Sequence, residues 1–413
     1  MSAPRRELLQ RCFDAALAAV DGRRVVAAAL AGVDLPENCP VLAVGKAAPA
    51  MLAGAAEALR EGIGPALCIS RAGAARPGEP GLGHARVMLG DHPVPGARSL
   101  AAGRELLAFL DALPPQAPLL CLWSGGSSAL VEVLPEGLDA HDLARANHWL
   151  LASGLPIDAM NRVRAGLSCL KAGRLGRRLA GRRVLVLAIS DVPGDDPAVI
   201  GSGPWTPSAQ QLTPDLAEAL PAWLVAMLEC AAAGPAPGRA ALAKVDYRIV
   251  ANGRLAAAAA GKLAQAAGVA NVLHPVPLQG EVQAAAGQIL AALAAGRRGL
   301  HVWSGETTVR LPPDPGKGGR NSHLALTLAR ALAGRDDVVV LCAATDGSDG
   351  AGGAAGGWAD GGVVARGAAL GLDANEALER ADSGRYLAAT GDTLVTGATG
   401  TNVMDLVLAL ASA

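Results

Sequence analysis

An α/β protein of two domains, the first built on a parallel sheet, is the fold class this sequence predicts, and three observations carry the prediction. At 413 residues the chain is too long for one hydrophobic core. Short, continuous apolar runs alternate with helical segments, which is how strands buried on both faces read. A stretch of small residues and prolines separates two such series, giving expected domains at 1–235 and 245–413.

Residues 5–30 space their apolar side chains as a helix does, and residues 41–44 form a compact apolar run that stops at Gly45-Lys46. The pattern of a strand delivering a loop then recurs. Residues 66–69 end at Ser70-Arg71-Ala72-Gly73, residues 118–123 at Ser124-Gly125-Gly126-Ser127-Ser128, and residues 184–189 at Ser190-Asp191-Val192-Pro193-Gly194-Asp195-Asp196. Helical segments are expected at 99–113, 141–153 and 158–179. In a parallel sheet these loops gather at the carboxyl ends of the strands, where such sheets bind ligands. The dividing stretch lies between Cys230 and Ala241. Beyond it, strands are expected at 247–250, 271–275, 300–303 and 338–343, a leucine-rich helix at 323–332, and a Gly/Thr loop with a last apolar run at 393–410. Residues 350–362 are too rich in glycine to predict regular structure. Trp123-Ser124-Gly125 is echoed by Trp303-Ser304-Gly305, although Ser-Gly loops recur after strands for turn reasons alone.

Composition narrows the function. The formal net charge of -1 gives no electrostatic case for nucleic acid or an anionic membrane as partner. Aromatic residues are only 2% of the chain, so stacking surfaces for bases are scarce. The seven cysteines form no C-x-x-C pair, which suits buried free thiols in a reducing cytoplasm. No secretory signal is visible behind Arg5, Arg6 and Glu7, and apolar runs such as 25–31 and 255–260 are too short to span a membrane. Small-molecule chemistry in the cytoplasm is the expectation.

Several loops have the residue types that anion chemistry needs. Lys46 in Gly45-Lys46-Ala47-Ala48 would stand beside any anion at the next helix start, or it is a solvated lysine at a strand end. The G-x-x-x-x-G-K-[ST] spacing of a Walker-type loop is absent. Ser124, Gly125, Gly126, Ser127 and Ser128 offer N–H groups and hydroxyls for phosphate oxygens, or a tight turn. No G-x-S-x-G marks a nucleophilic serine. Asp191, Asp195 and Asp196 at one strand end, and Asp346 and Asp349 at another, suit Mg²⁺ held by one or two carboxylates plus phosphate, or a general base; as turns alone they are ordinary. Gly316-Lys317-Gly318-Gly319-Arg320-Asn321 opens a helix, where Arg320 could clamp a carboxylate or phosphate, or serve as a surface residue beside a cap. His92, in Gly90-Asp91-His92-Pro93-Val94-Pro95, is the loop histidine to watch; no H-x-x-x-H or H-E-x-x-H pattern supports zinc.

Together these pieces resemble the glycerate 2-kinases that carry a carboxy-terminal MOFRL domain. The resemblance rests on Val44-Gly45-Lys46-Ala47-Ala48, Gly90-Asp91-His92-Pro93-Val94-Pro95, Ser124-Gly125-Gly126, Lys171-Ala172-Gly173-Arg174-Leu175, and the run from Ser190 to Asp196. It continues through Ser202-Gly203-Pro204, Gly305-Glu306-Thr307-Thr308-Val309, Gly318-Gly319-Arg320-Asn321, Thr345-Asp346-Gly347 with Asp349-Gly350, and Thr399-Gly400-Thr401-Asn402-Val403. The pieces span nearly the whole chain in family order. Four loops depart from the family pattern: Ser-Gly-Gly-Gly-Ser becomes the 124–128 loop, Asn-Gln becomes Asn321-Ser322, Gly-Pro-Thr becomes Gly397-Ala398-Thr399, and an Asn becomes Met404.

The resemblance implies an ATP- and Mg²⁺-dependent kinase that phosphorylates the C2 hydroxyl of D-glycerate. It also implies a large Rossmann-like, doubly wound domain and a smaller α/β MOFRL domain, with the active site in the cleft between them and the family's reactive Lys and Arg at Lys46 and Arg320. On that basis Lys46 and Mg²⁺ would balance charge on the transferring phosphoryl group, and Arg320 would clamp the glycerate carboxylate or phosphate. Ser124 to Ser128, Glu306, Asn321 and Asp346 would contact substrate or ATP. Asp191 would orient or deprotonate the hydroxyl, and Asp191, Asp346 and Asp349 are the candidate metal ligands. D-Glycerate and ATP are the expected partners, and a homodimer is compatible with the sequence. The rival readings are an NAD(P)-dependent hydroxypyruvate reductase, against which stands the absence of a strand leading into G-x-G-x-x-G, and a sugar-acid-binding regulatory module.

Overall fold

The computed structural model describes residues 2–74, 82, 84–207, 213–232, 243–350 and 353–412. The chain forms two compact units, Gly22–Val250 on one side of the division and Met1–Asp21 with Ala251–Ala413 on the other. This departs from the contiguous partition at 1–235 and 245–413, because the first helix joins the unit made by the later half of the chain. The dividing small-residue stretch, 233–242, lies outside the described residues.

Strands β1 (Cys39–Val44), β2 (Ile63–Arg71), β3 (Arg86–Gly90), β4 (Leu119–Trp123), β5 (Arg183–Ile189) and β6 (Lys244–Ala251) form a six-stranded sheet in the order β3-β2-β1-β4-β5-β6. The pairings from β3 through β5 are parallel. Every residue of β1 and β4 is buried, which is why both read as unbroken apolar runs. Leu42, Val44, Leu67, Leu106, Trp123 and Val186 belong to one continuous core beneath them. The strand order reverses at β1, and such a reversal opens a crevice at the carboxyl ends of β1 and β4.

The other unit is organised differently. Strands β7 (Asn271–Leu273), β8 (Leu278–Glu281), β9 (Gly299–Thr308), β10 (Val338–Ala344), β11 (Gly356–Asp360), β12 (Thr393–Leu394) and β13 (Asp405–Ala411) give the order β12-β11-β10-β13-β9-β7, with β8 also on β9. β13 lies antiparallel between β9 and β10, whereas β7 and β8 run parallel to β9. The helix Arg320–Ala331 packs on this sheet through Leu324, Ala325 and Leu328. The helix Ser2–Ala19 packs on the helix Gly253–Ala266 and on β10 and β13. Arg6 reaches Asp392 at 2.7 Å and also pairs with Asp360.

Four expectations change. The single helix expected at 5–30 is two, Ser2–Ala19 and Gly22–Leu30, and they fall in different units. The helix expected at 158–179 breaks into Ile157–Gly166 and Arg174–Arg178. There Ser168 Oγ accepts from the N–H of Leu170 and Lys171, and Ala172 and Gly173 take φ of 55° and 77°. Residues 304–308 continue β9 rather than leaving it, because β13 and β8 supply hydrogen-bonding partners on both sides. The glycine-rich region 350–362 contains β11, where the missing side chain of Gly357 is needed: a Cβ there would come within 2.5 Å of Leu387 Cδ1. Five of the seven cysteines are buried, but Cys169 and Cys230 are exposed.

Candidate active site

At the carboxyl ends of β1 and β4, two loops are laced together before any ligand is considered. Ser124 donates its N–H to Val44 O at 3.0 Å, and Lys46 donates its N–H to Gly125 O at 2.9 Å. Ser124 Oγ accepts from Ala47 N at 3.1 Å, and Ser70 Oγ donates to Gly45 O at 2.9 Å. This close approach needs Gly45, whose φ is +131° and where a Cβ would lie 2.1 Å from Ser124 Oγ. Ser124 therefore fixes the loop, rather than holding its N–H open for phosphate as expected. The lacing leaves Lys46 half-buried beside His92. Both flank Gly126, where a Cβ would meet Lys46 Cγ at 3.1 Å and His92 Cδ2 at 3.2 Å. Ser127 is fully buried and its hydroxyl has no hydrogen-bond partner, while Ser128 is half-buried and lines a cavity.

Asp191 follows β5 and is half-buried. On β6 the Tyr247 phenol is pushed well up by burial and then by the Asp191 and Asp196 carboxylates. Asp196 closes its own turn, accepting from Ala198 N at 2.8 Å.

In the second unit the predicted residues assemble around Arg320. Its Nε and Nη2 bind the two oxygens of Asp405 at 2.5 and 2.9 Å, and its Nη1 lies 2.9 Å from Glu306 Oε1. Asp405 begins β13 and is in register with Gly305 of β9 and Ala344 of β10, so the two flanking strands bury it. Burial pushes the Asp405 carboxyl above its ordinary range, against the pull of Arg320. Burial works against the Arg320 charge too, but Asp405 and then Glu306 outweigh it and raise that group above its usual value.

Asp349 accepts from Asn321 N and Ser322 N at 2.9 and 2.7 Å, and from Ser322 Oγ at 2.7 Å. Its two oxygens cap the helix that Arg320 begins, so this carboxylate has a structural task in place of the expected metal contact. Asn321 is held by the same cap, through Nδ2 at 3.4 Å. Asp346 Oδ1 accepts from Ser348 N at 2.9 Å, and Thr345 Oγ1 ties this loop to Met404 O and Val403 N at 2.5 and 2.9 Å. Lys317, whose own role was open, is exposed and bonds through its backbone N–H to Asp382.

Sequence reasoning passed over Asp405. A carboxylate at the head of the apolar run Leu406-Val407-Leu408 was the available signal, since a charge entering a buried strand needs a partner. It also passed over a buried group in the first unit, where Lys171 Nζ pairs with Glu132 and Ser168 Oγ donates to Glu132 Oε1 at 2.6 Å. A Mg²⁺ ion carried mainly by nucleotide phosphates asks for only one or two protein carboxylates, and Asp191 and Asp346, each at a strand end, have that chemistry. Among the described residues, Asp139, His141 and Asp142 form the only cluster of three potential ligands, and Asp139 there is the cap of the helix Ala140–Ala152.

Comparison with known proteins identifies relatives over the whole chain. Residues 8–232 match the model described as "Domain of unknown function (DUF4147)", and residues 299–405 match the MOFRL family. A protein of Agrobacterium vitis named "Putative hydroxypyruvate reductase" is 35% identical over 97% of this chain and 93% of its own. The D-glycerate 2-kinase of Thermotoga maritima is 32% identical over 90% of each chain. A crystal structure of glycerate kinase from Thermotoga maritima superposes with a TM-score of 0.83 at 30% identity, covering 98% of this chain and 99% of that one. With both domain types present and the relation running through the full length, this chain belongs to the family of glycerate 2-kinases that carry a carboxy-terminal MOFRL domain.

Proposed function

We propose that the protein is a glycerate 2-kinase, transferring the γ-phosphoryl group of ATP to the C2 hydroxyl of D-glycerate to give 2-phosphoglycerate and ADP. The observation that carries this reading is the position of Lys46. It stands at the strand-order reversal, on a loop fixed by Gly45 and Ser124, in a chain similar over its full length to a glycerate kinase. A lysine there supplies a fixed positive charge to a phosphoryl group whose transition state spreads negative charge over its oxygens.

In this reaction the C2 oxygen attacks the γ-phosphorus, the bond to the bridging oxygen of ADP breaks, and the hydroxyl proton passes to a carboxylate. Asp191 is the proposed acceptor of that proton, in a loop it shares with Asp195 and Asp196. Lys46 and the hydroxyls of Ser127 and Ser128 serve the phosphates. In the other unit Arg320 presents its charge in an orientation set by Asp405 and Glu306, with Asn321 and Asp346 as that unit's further proposed contacts to substrate or ATP. Mg²⁺ when bound would neutralise phosphate charge, and Asp191 in the one unit and Asp346 in the other each offer, at a strand end, the kind of carboxylate such an ion takes. The free thiols fit a cytoplasmic enzyme.

The test is purified protein with D-glycerate, ATP and Mg²⁺, following ADP, with enolase added in the absence of mutase to identify the product. ADP formation coupled directly to enolase is the expected result. The name borne by the Agrobacterium relative motivates the alternative measurement, NADH consumption on hydroxypyruvate. NADH consumption without ADP formation would replace the kinase with the reductase.

A further inference from the structure

The described residues of the first unit contain a small cavity whose lining includes Pro93, Ser128, Glu132, Asn161, Arg164 and Lys171. Its charges are unevenly matched. Lys171 is neutralised by Glu132, whose carboxylate also accepts from Ser168 Oγ at 2.6 Å and from Val133 N at 3.0 Å. Arg164 is half-buried but meets only amide oxygens, with Nε on Asn147 Oδ1 at 3.0 Å and Nη1 on Asn161 Oδ1 at 3.4 Å. Among the described residues no carboxylate pairs with it. Burial accordingly weakens its hold on its proton, with no acidic neighbour to offset the effect.

A guanidinium withdrawn from water without a counter-ion costs free energy that a bound anion would recover. Arg320, the arginine expected to clamp an anion, is already matched by both Asp405 and Glu306. We propose that Arg164, steered by Asn147 and Asn161, binds the carboxylate of the small hydroxy acid, and that this cavity is the acid-binding pocket. The inference rests on the kinase reading and deepens it.

Size and position agree. The cavity is small, about 40 Å³, enough for a few water molecules and so for a compact acid rather than a purine. Its Ser128 belongs to the loop whose Gly126 lies between Lys46 and His92, which puts the acid next to the phosphoryl-handling residues. The helix Ile157–Gly166 places Asn161 and Arg164 three residues apart, on one face. Arg164 therefore acts as a binding residue, with Asn161 as its positioning residue.

The test compares the wild-type protein with Arg164→Gln, Arg164→Lys and Asn161→Ala, each first checked for a normal thermal transition. Calorimetric titration uses D-glycerate, L-lactate, tartronate and the uncharged probe glycerol. Steady-state kinetics give KM for glycerate and for ATP separately. Wild type should bind at least one of the acids and discriminate against glycerol. Arg164→Gln should weaken acid binding and raise the KM for glycerate by about thirtyfold or more, as expected for a lost charge-assisted pair. The KM for ATP should stay within about twofold, and Arg164→Lys should recover part of the loss. Unchanged acid affinity in Arg164→Gln, or no acid binding by wild type, overturns the proposal. Should Arg164→Gln fail to fold, the Lys and Asn161 variants decide by the same ratio of KM values. A wild type that binds an acid through Arg164 yet forms no ADP would overturn the kinase reading and leave the pocket standing.

Discussion

The tripeptide Trp-Ser-Gly occurs once in each unit and does two different things. At Trp123-Ser124-Gly125 the strand β4 ends, and Ser124 turns aside to bind Val44 and Ala47. At Trp303-Ser304-Gly305 the strand β9 runs on for several residues, because β13 pairs with Ser304 and Gly305 on one side and β8 takes up Gly305 on the other. The neighbours, not the three residues, set the outcome. The difference reaches the chemistry. The parallel unit presents a laced loop at strand ends, whereas the mixed unit presents side chains from a continuing strand, with Glu306 and Asp405 gripping Arg320 from adjacent strands.

The comparison can be broken at several points. Replacing Lys46 or Arg320 by Ala should lower turnover by about a thousandfold or more, and Arg320→Ala should also lose stability because it leaves the buried Asp405 unpaired; a near-normal rate in either variant would remove that unit's part in the reaction. Asp405→Ala strands a largely buried guanidinium and should cost about 3 kcal/mol in urea unfolding. Glu306→Gln, at the more exposed partner, should cost less than 1 kcal/mol, about the worth of a surface pair. Equal losses for the two would show that Arg320 has no preferred anchor. In the laced loop, Gly45→Ala should cost about 2 to 3 kcal/mol, from a strained φ and contact with Ser124. Ser124→Ala should cost about 1 kcal/mol for the lost acceptor, so the order of the two melting temperatures tests whether backbone approach or hydroxyl holds the loop.

The smallest expected effect is on acid sensitivity. His274 and His323, both in the mixed unit, have pKa values lowered from 6.5 chiefly by burial. The unfolded chain therefore binds more protons than the folded one below that value. Their contribution to stability is complete above about pH 6.5 and is lost as the pH falls from there through the lowered folded-state values. Thermal melts at pH 8 and pH 5.5 should show a smaller acid-induced loss in His323→Gln than in wild type; an identical loss would remove the histidine as its source.

The parallel unit was the more legible in the sequence. Each of its buried strands is an unbroken apolar run closed by Gly, Ser or Asp, so β1, β4 and β5 and the loops after them could be placed from local pattern. The mixed unit hid more, because its strands are defined by partners far away in the chain. Residues 304–308 are a strand only because β8 and β13 flank them, and β11 persists through its glycines because Leu387 and β10 occupy the space that side chains would need. Of the site, Lys46, Glu306, Arg320, Asn321 and the aspartates were legible as types, but their tasks were not. Asp349 turns out to cap a helix, and Arg320 has a strand-borne partner in Asp405 that no spacing rule connects to it. Arg164 stayed unnoticed because its distinction is the lack of a counter-charge, and only three-dimensional neighbours reveal that.

The helix Ser2–Ala19 has a consequence for biosynthesis. It belongs with Ala251–Ala413, held there by Arg6 on Asp360 and Asp392, by Arg6 over the Trp358 ring at 5.4 Å, and by Val20 O accepting from Thr401 Oγ1 at 2.7 Å. During translation this helix emerges well before the strands around Trp358 and Asp405, and has no surface to dock on until they have left the ribosome. Gly22–Val250 can meanwhile complete its sheet. A segment made before Gly22–Val250 therefore finds its place after it, and until then its apolar side chains Leu9, Phe13 and Ala16 lack the surface that buries them in the finished fold.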